Sequence, residues 1–465
     1  MKNRKTSEYR ITKFTTIAYG FANFADNSAT QLFNFLLFTF YFAVVGLDVN
    51  IITFGFIIWS LWNAVNDPIM GAWSDRGKSS LGRRKPFIIL GIVPTCILLV
   101  LLWTPPLDSE LASFVYFLII ILVYDTFYTM FYVNQMALFP EMYQNLDDRA
   151  KANTILQIFT IFALIIAFIS PSFFIREYEN PIYFVNYRFA GLFIAIIVAL
   201  SAGIFIKYGL KERFEYSKDP EIAPSFKKAL SYSLKNKAFI TYIIANFSTY
   251  YILGIYTTLT ALYGSYVLNQ SNSFLISLLL GFSFISAIIF MIFWQKVSLK
   301  LGIKSGLIVA LASGIIVTIP FLFSEDFISG MITYFIAGFS LAGMLFFRRI
   351  TLASVIDDDE LRTGVRREGS FYGVDALIVK LSTIAIFLSI SLVFNSVGWK
   401  VFDPIGTPEQ TVLGLKLLMW LFPSIALAIG ILSMIFFPIT KNRYEEIRQK
   451  IDVLHEEKKT KTSQI

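Results

Sequence analysis

Polar side chains recur at helical spacing inside apolar runs of this sequence, and their chemistry is the first clue to function. The run "SLWNAVNDPIMGAWSD" carries Asn63, Asn66 and Asp67 at i, i+3 and i+4, which places them on one helix face. An earlier run repeats the pattern with Asn23, Asp26, Asn27, Thr30 and Asn34. A third run continues it with Asp125, Tyr128, Thr129 and Tyr132. Such groups of carboxylates, amides and hydroxyls can bind a cation or hydrogen-bond a polar substrate.

The elements that carry these stripes are predicted to be transmembrane helices. The chain of 465 residues is 56% hydrophobic and only 15% charged, whereas a soluble domain has about 25% charged residues. Apolar runs of about 20 residues recur along it, each able to cross a hydrocarbon core about 30 Å thick. We predict an all-α membrane protein with twelve spans, at about 15–45, 51–73, 86–104, 112–139, 151–175, 187–207, 238–265, 273–296, 304–323, 328–348, 371–396 and 412–438.

Carboxylates at membrane depth are costly and normally face a water-filled cavity. A single amide could instead be satisfied by hydrogen bonds between helices. Three coherent stripes favour a polar pathway through the protein, to which the eleventh span adds Asp375 and Lys380. The seventh span offers Asn246, Thr249, Tyr250 and Thr257.

The distribution of Lys and Arg predicts the orientation. Basic residues concentrate in the N-terminal segment, in alternate loops and in the tail from Lys441, so we expect a multi-pass protein of the cell membrane with both termini cytoplasmic. This topology accounts for the net charge of +8, and no nucleic-acid partner is expected. The single cysteine, Cys96, and single histidine, His455, argue against an internal disulfide and a thiol or imidazole metal site. We expect no cofactor.

Six spans, a charged connector and six further spans predict two bundles, the organisation of many secondary transporters. The N-terminal six-helix bundle is expected over residues 1–207 and the C-terminal one over 238–438. Residues 208–237 would form a cytoplasmic connector and residues 439–465 a cytoplasmic tail. We expect a monomer surrounded by membrane lipid.

The loop after the second span, "DRGKSSLGRRK", has two interpretations. It could be only a basic loop that follows the topology rule. Alternatively, Asp75 beside Arg76, with Arg83 and Arg84 opposite, could form a charge clasp at a helix end. A clasp of this kind would hold one conformation closed on the cytoplasmic side and release it in the other. These four residues are therefore candidates for a cytoplasmic gate.

The segment "NDPIMGAWSDRGKSSLGRRKP" resembles the signature of the glycoside–pentoside–hexuronide:cation symporters, a branch of the major facilitator superfamily that includes melibiose permease. The resemblance continues in "YGFANFADN", "YTMFYVNQMALFPE" and "DDDELRTGVRREGSFYGVDALIVKLS". It implies the major facilitator fold, with two six-helix bundles and alternating access. It also implies symport of a small molecule, a sugar or glycoside, with a cation.

The resemblance also implies roles for single residues. Asp67 matches an aspartate of the family's cation site, while Asn63 stands where the family has a second carboxylate. Tyr128 and Thr129 match its cation-site tyrosine and threonine. Lys380 matches the lysine of the eleventh span. The expected cation site therefore comprises Asp67, Asn63, Tyr128 and Thr129, with H⁺ or a transient Na⁺ as the cation and no resident metal.

The expected substrate site departs from the family. Where melibiose permease has sugar-binding aspartates, this chain has Asn27 and Tyr132. The nearby carboxylates of Asp26 and Asp125 are candidates to replace them. The expected substrate-binding residues are Asn23, Asp26, Asn27, Asp125, Tyr132 and Lys380.

A coupling mechanism follows from one buried carboxylate. Burial raises the pKa of an acid, so Asp67 could be neutralised by a proton or by Na⁺, and the loss of an acid at Asn63 favours the proton, because a hard cation needs charged oxygen ligands. An alternative is a transporter of lysophospholipid-type amphiphiles, whose path the 48 phenylalanines could line. A second alternative is a non-transporting receptor or scaffold. No catalytic pattern of Ser–His or Cys–His is present, so we expect no enzyme.

Overall fold

The computed structural model describes residues 11–75, 79, 81–143, 146–212, 231–364, 367–403 and 409–462. These residues form helices and connecting loops, and no β-strand occurs among them. In chain order the helices are α1 (Lys13–Thr39), α2 (Val49–Asp75), α3 (Lys85–Leu101), α4 (Glu110–Met142), α5 (Leu146–Ile169), α6 (Phe184–Ile204), α7 (Lys237–Tyr266), α8 (Ser273–Val317), α9 (Phe327–Thr363), α10 (Glu368–Ser396), α11 (Glu409–Ile435) and α12 (Lys441–Thr462).

Nine helical segments within the described ranges are long and apolar enough to cross a membrane. One of them, Ser273–Leu322, contains two helices, because Gly302 inside α8 has a non-helical conformation with a φ of 75°. The remaining predicted spans coincide with α1 and with the short apolar helix α3. Each of the twelve predicted spans therefore lies on a helix.

Helix α9 continues beyond the tenth predicted span. That span is predicted to end at residue 348, whereas α9 runs from Phe327 to Thr363. Asp326 starts this helix with a capping box, in which its side chain accepts from the Ser329 backbone N–H. Gly364, with a φ of 72°, ends it. The helix passes straight through its charged residues because main-chain hydrogen bonding continues beyond the apolar segment.

The chain forms two compact units. Unit 1 comprises Met1–Leu37, Val65–Ile175 and Pro181–Ile222, and unit 2 comprises Phe38–Ala64, Arg176–Asn180 and Ala223–Ile465. Helix α2 thus begins in unit 2 and continues in unit 1. The predicted division at a connector over 208–237 stays a prediction, since most of that segment lies outside the described residues.

Small residues bring the helices of each unit close together, as expected where a lipid environment removes the hydrophobic driving force. In unit 1, a Cβ atom at Gly91 of α3 would lie 2.6 Å from the backbone nitrogen of Phe131 in α4. In unit 2, a Cβ atom at Gly338 of α9 would collide with the Ser283 carbonyl of α8. These close approaches hold the helices that present the polar side chains described next.

Candidate functional site

Three tyrosines of α4 form a stacked ladder in unit 1. Tyr124, Tyr128 and Tyr132 follow at intervals of four residues, so they lie on one helix face. Successive ring centroids are 5.9 and 5.7 Å apart, and the ring planes differ by 10° and 11°. Phe33 of α1 extends the stack beyond Tyr124. Since Tyr128 and Tyr132 are only half-buried, this end of the ladder offers aromatic surface to a ligand.

Asp26 of α1 meets the middle of the tyrosine ladder. The hydroxyl group of Tyr128 donates a hydrogen bond to the Asp26 carboxylate. Thr30, one turn along α1, donates to the same tyrosine oxygen over 2.8 Å. Tyr128 was expected at the cation site by resemblance, but its hydroxyl group binds Asp26. The polar stripes of α1 and α4 therefore face each other.

Asp67 of α2 is half-buried, whereas a buried carboxylate was predicted from the sequence. Thr129 of α4 donates a hydrogen bond of 3.2 Å to its carboxylate. Two of the four expected cation-site residues are thus brought together. In the part of the chain that the structure describes, no group of three or more His, Cys, Asp or Glu residues forms a metal site.

Asp125 of α4 is engaged by α2. The Asn66 side chain donates to its carboxylate over 3.0 Å and to its backbone carbonyl over 3.1 Å. Both side chains are buried, with exposed fractions of 2% for Asp125 and 0% for Asn66. This pair ties α2 to α4 just beside Asp67. The sequence pattern marked both residues but did not indicate that they bind each other.

The remaining amides of α1 form a network with α4. Gln135, which was not among the predicted site residues, donates to the Asn23 side chain over 2.8 Å. Asn27 donates to the Asn23 backbone carbonyl, also over 2.8 Å. Gln135 is fully buried, whereas Asn23 and Asn27 are half-buried. Asn23 and Asn27 therefore lie next to Asp26 on the partly exposed face of α1.

The predicted cytoplasmic end of unit 1 holds two arginines on one carboxylate. Glu141 of α4 accepts from Arg83 over 2.6 Å and from Arg84 over 2.8 Å. All three side chains are at most 15% exposed. Of the expected gate residues, Arg76 and the side chain of Asp75 lie outside the described residues, so that contact stays a prediction. The partner Glu141 could have been found, because it ends the quoted "YTMFYVNQMALFPE" motif.

A second carboxylate caps the start of α3. Glu212 accepts hydrogen bonds from the backbone N–H groups of Arg83, Arg84 and Lys85, the first two over 2.7 and 2.8 Å. A carboxylate at a helix N-terminus satisfies free N–H groups and interacts favourably with the helix dipole. Sequence reasoning could not find this contact, since Glu212 follows the arginines by more than a hundred residues.

In unit 2, Lys380 of α10 lies against the first part of α2. Its ammonium group donates to the backbone carbonyl of Asn63 over 2.8 Å. Asn63 and Lys380 were assigned from the sequence to the cation and substrate sites respectively. The structure joins them through the main chain, so the contact would survive a change of side chain at Asn63.

A second polar cluster of unit 2 lies between α7, α9 and α10. Asn246 of α7 donates to Asp375 of α10 over 2.6 Å. The Arg348 guanidinium of α9 interacts electrostatically with Asp375 and lies 5.0 Å from the ring centre of Tyr250. Asn246, Tyr250 and Asp375 were predicted as polar residues of the spans, whereas Arg348, which stands at the predicted end of a span, was not.

The far end of α9 is also charged. Asp358 pairs with Arg362 over 2.5 Å and with Arg443 of α12 over 3.0 Å. Asp359 pairs with Arg367 over 2.9 Å. These contacts lie beyond the apolar part of α9, and the Asp358–Arg443 pair attaches the tail helix α12 to it. The acidic run was quoted as a motif, but its basic partners were not foreseen.

Comparisons with known proteins agree with the architecture. A family model described as "MFS/sugar transport protein" matches residues 18–441. The Bacillus subtilis protein described as uncharacterized symporter YjmB is 22% identical, over 96% of each chain. The chicken sodium-dependent lysophosphatidylcholine symporter 1 is 22% identical, over 98% of this chain and 92% of its own. The crystal structure of nucleoside transporter NupG superposes with a TM-score of 0.66 at 13% identity, covering 91% of this chain and 99% of that one. The predicted fold class is confirmed.

Proposed function

We propose that this chain, which belongs to the MFS/sugar transport protein family, moves a sugar or glycoside across the membrane together with a cation. It is a multi-pass membrane protein, and its relatives and structural neighbours are transporters, not enzymes. One observation carries the proposal. In unit 1, Asp67 with its hydroxyl donor Thr129 lies beside the tyrosine ladder, in which Tyr128 donates a hydrogen bond to Asp26.

The ladder and its surroundings suit a sugar. The half-buried rings of Tyr128 and Tyr132 offer flat apolar surface to one face of a pyranose or furanose ring. Asp26, Asn23 and Asn27 offer acceptors and donors for its hydroxyl groups. Small-molecule sites are usually lined by apolar and aromatic side chains together with a few positioned polar groups. Asp125 is occupied by Asn66, so we assign it a positioning role beside this site.

We assign the coupling cation to Asp67. Its carboxylate accepts a hydrogen bond from the Thr129 hydroxyl group and is partly exposed, so a proton or Na⁺ arriving through water could neutralise it. Asn63, one turn earlier on α2, offers an amide oxygen but no charge. A site with one charged oxygen favours H⁺, because Na⁺ needs several oxygen ligands. Coupling is reciprocal, so each bound ligand raises the affinity of the other by the same factor.

The orientation remains part of the proposal. The basic residues in alternate loops support an orientation in which both termini lie on the cytoplasmic side of a cell membrane. The Arg83–Arg84–Glu141 cluster of unit 1 and the Asp358–Arg443 cluster of unit 2 would then both lie on the cytoplasmic side, where they could stabilise one state of an alternating-access cycle. We expect a single chain to suffice for transport.

The test is uptake of radiolabelled sugars by proteoliposomes that contain the purified protein. An imposed pH gradient, inside alkaline, should drive accumulation, and a protonophore should abolish it. Accumulation driven only by an inward Na⁺ gradient would assign Na⁺ instead. Uptake that is indifferent to both gradients, with facilitated exchange intact, would overturn coupling.

A second candidate substrate class is a lysophospholipid, because a relative that covers nearly the whole chain is named for lysophosphatidylcholine. Competition separates the two classes. Lysophosphatidylcholine at submicellar concentration should leave sugar counterflow unchanged if the protein is a sugar carrier. Inhibition of counterflow by the lipid, with lipid uptake that responds to the same cation gradient, would favour the second candidate.

A further inference from the structure

Five residues of the loop between α5 and α6 leave unit 1 and pack in unit 2. The chain belongs to unit 1 up to Ile175 and again from Pro181, whereas Arg176–Asn180 belong to unit 2. We call these five residues the strap. The proposed cation and sugar sites do not use them, and in the predicted topology they lie on the side of the membrane opposite the termini.

The strap completes the start of α8. The backbone N–H of Ser273 donates to the Arg176 carbonyl over 2.9 Å. The Asn272 side chain accepts from the next two backbone N–H groups of the helix. The first N–H groups of a helix have no acceptor within it, so the strap supplies one that α8 itself lacks.

The Tyr178 side chain anchors the middle of the strap. Its exposed fraction is 0%, and its hydroxyl group lies 2.7 Å from the Ser277 hydroxyl group, one turn into α8. A buried tyrosine ring with a bonded hydroxyl group stabilises the docked position. The loop is therefore held by contacts with α8 rather than by its own conformation.

Glu179 brings a carboxylate into this packed segment. Its Oε2 atom is buried and accepts no hydrogen bond from the residues that the structure describes. Ser265 and Tyr266 at the end of α7 interact with it, as does Glu177 of the strap. Asp403, in the loop after α10, acts on the same Tyr266. Among the described residues, none of the groups that act on Glu179 is positively charged.

An ionised carboxylate is unfavourable in this place. Burial is the main cause that raises the pKa of Glu179 to about 7 from its ordinary value of 4.5. In a released strap, water would surround the carboxylate and restore the ordinary value. Docking therefore takes up a proton between these two values, so it is favoured at acid pH and weakens as the pH rises to about 7.

We propose that the strap is a pH-sensitive switch, in which protonation of Glu179 holds residues 176–180 against the ends of α7 and α8 and loss of the proton releases them. In the predicted orientation, release favours opening of the side opposite the cytoplasm. That consequence rests on the alternating access of the proposed function, whereas docking itself needs neither a substrate nor a gradient.

Docking is measured by the distance between two nitroxide labels on the purified protein in lipid nanodiscs. The native thiol is removed by Cys96→Ala, and the labels are attached at Ile182→Cys, beside the strap, and at Ile328→Cys, at the start of α9. Both isoleucines are exposed, at 78% and 64%. Pulsed dipolar spectroscopy between about pH 4.5 and pH 8 gives the populations of docked and released strap.

With the native strap, the ratio of docked to released populations should fall about 10- to 100-fold over this range, because the docked carboxylate holds a proton that the released one loses. Glu179→Gln, which is neutral at every pH, should stay docked throughout. Tyr178→Phe lacks the hydroxyl contact with Ser277, so it should lower the docked population at every pH and keep the slope.

Two control variants test other carboxylates. Glu177→Gln removes the second acid of the strap, whose charge is the smallest of the causes that act on the pKa of Glu179, so most of the slope should persist. Asp67→Asn removes the proposed coupling carboxylate and should keep the slope. A failure of cation coupling in the uptake assay therefore leaves this result intact, and the reverse also holds.

A docked population that does not change with pH in the protein with the native strap would overturn the inference. So would a slope that persists in Glu179→Gln or disappears in Asp67→Asn, because another group would then control the change. An unaltered docked population in Tyr178→Phe would also count against the switch, since docking would not depend on the contact with α8.

Discussion

The two units differ in the sign of the charge that they present at membrane depth. Unit 1 presents the carboxylates of Asp26, Asp67 and Asp125, each with a neutral hydrogen-bond donor from a hydroxyl or amide group. Unit 2 presents Arg348, which interacts electrostatically with Asp375, and Lys380, which donates to the Asn63 backbone carbonyl. A carboxylate with neutral donors can take up a cation, whereas a guanidinium over a ring can take up an anion. The polar side chains at membrane depth thus differ in charge between the two units.

Both units also carry ion pairs at their predicted cytoplasmic ends. In unit 1 two arginines next to a loop share one glutamate on a helix. In unit 2 two aspartates on a helix bind arginines from the same helix, a loop and the tail. Both ends contain one acid that binds two arginines, Asp358 in unit 2 and Glu141 in unit 1. The arginines on Asp358 are 55% and 37% exposed, whereas those on Glu141 are 14% and 9% exposed. Removal of Glu141 should therefore be costly.

The largest effect is expected at Asp67. An asparagine side chain at this position stays neutral and cannot respond to a cation. In Asp67→Asn the concentrative uptake of substrate should therefore fall about 10- to 100-fold, which is within the usual range of coupling factors, while equilibrium exchange persists. Asp67→Glu should keep part of the coupling. The measurement is gradient-driven uptake beside counterflow in the same vesicles.

Asp108→Asn, in an exposed loop of unit 1, serves as the control for Asp67. It removes the same charge at the surface and should leave both assays unchanged. Full coupling in Asp67→Asn would remove the cation role from unit 1 and with it the contrast between the two units.

The next effect concerns the cytoplasmic end of unit 1. Glu141→Gln leaves Arg83 and Arg84 close together without their shared carboxylate, which should cost about 2–3 kcal/mol of stability, as expected for breaking a largely buried ion pair. The measurement is the thermal unfolding of the purified protein. Glu446→Gln removes a carboxylate that is 57% exposed and paired with Arg443, so it should cost less than about 0.5 kcal/mol. Equal shifts for the two variants would contradict the distinction.

The smallest effect is expected from an acid of unit 2 outside the spans. Burial raises the pKa of Glu179, in the loop before α6, to about 7 from its ordinary value of 4.5. Between these values the folded chain binds more protons than the unfolded chain, so stability should fall as the pH rises from about 4.5 to 7 and then level off. The decrease should be at most about 2 kcal/mol, because Glu179 keeps some exposure.

Glu179→Gln should flatten this part of the stability curve, measured by thermal unfolding between pH 4.5 and pH 8. Glu177→Gln, two residues earlier, is the matched control and should retain most of the slope, because the Glu177 charge is the smallest of the causes that act on the pKa of Glu179. Hydrogen bonds from Ser273 to the Arg176 carbonyl over 2.9 Å, and between Tyr178 and Ser277 over 2.7 Å, hold the segment in place. A slope that persists in Glu179→Gln would assign the titration to another group.

Much of the candidate site could be predicted from spacing. The i, i+3, i+4 stripes identified the faces of α1, α2 and α4 that meet, and the resemblance paired Asp67 with Thr129. The specific partners could not be predicted, because they depend on the rotation and axial shift of one helix against another. The hydrogen bonds from Tyr128 to Asp26 and from Asn66 to Asp125 are two such contacts.

The surroundings of Arg348 were also not predicted from the sequence. A charge usually ends a transmembrane prediction, so the tenth span was expected to stop there, although the helix continues for 15 residues, to Thr363. Whether a charge lies at the surface or inside depends on what the neighbouring helices place around it. Here they place Tyr250 and Asp375.

The sequence by itself determined the membrane location, the positions of the twelve spans and the polar faces, because hydrophobic length and helical periodicity are local properties of the chain. Only the tertiary structure decided which acid binds which donor, that Glu212 caps α3 and that Arg348 lies beside Tyr250. These contacts join residues far apart in the chain, and their geometry is set by how closely the small residues let the helices pack.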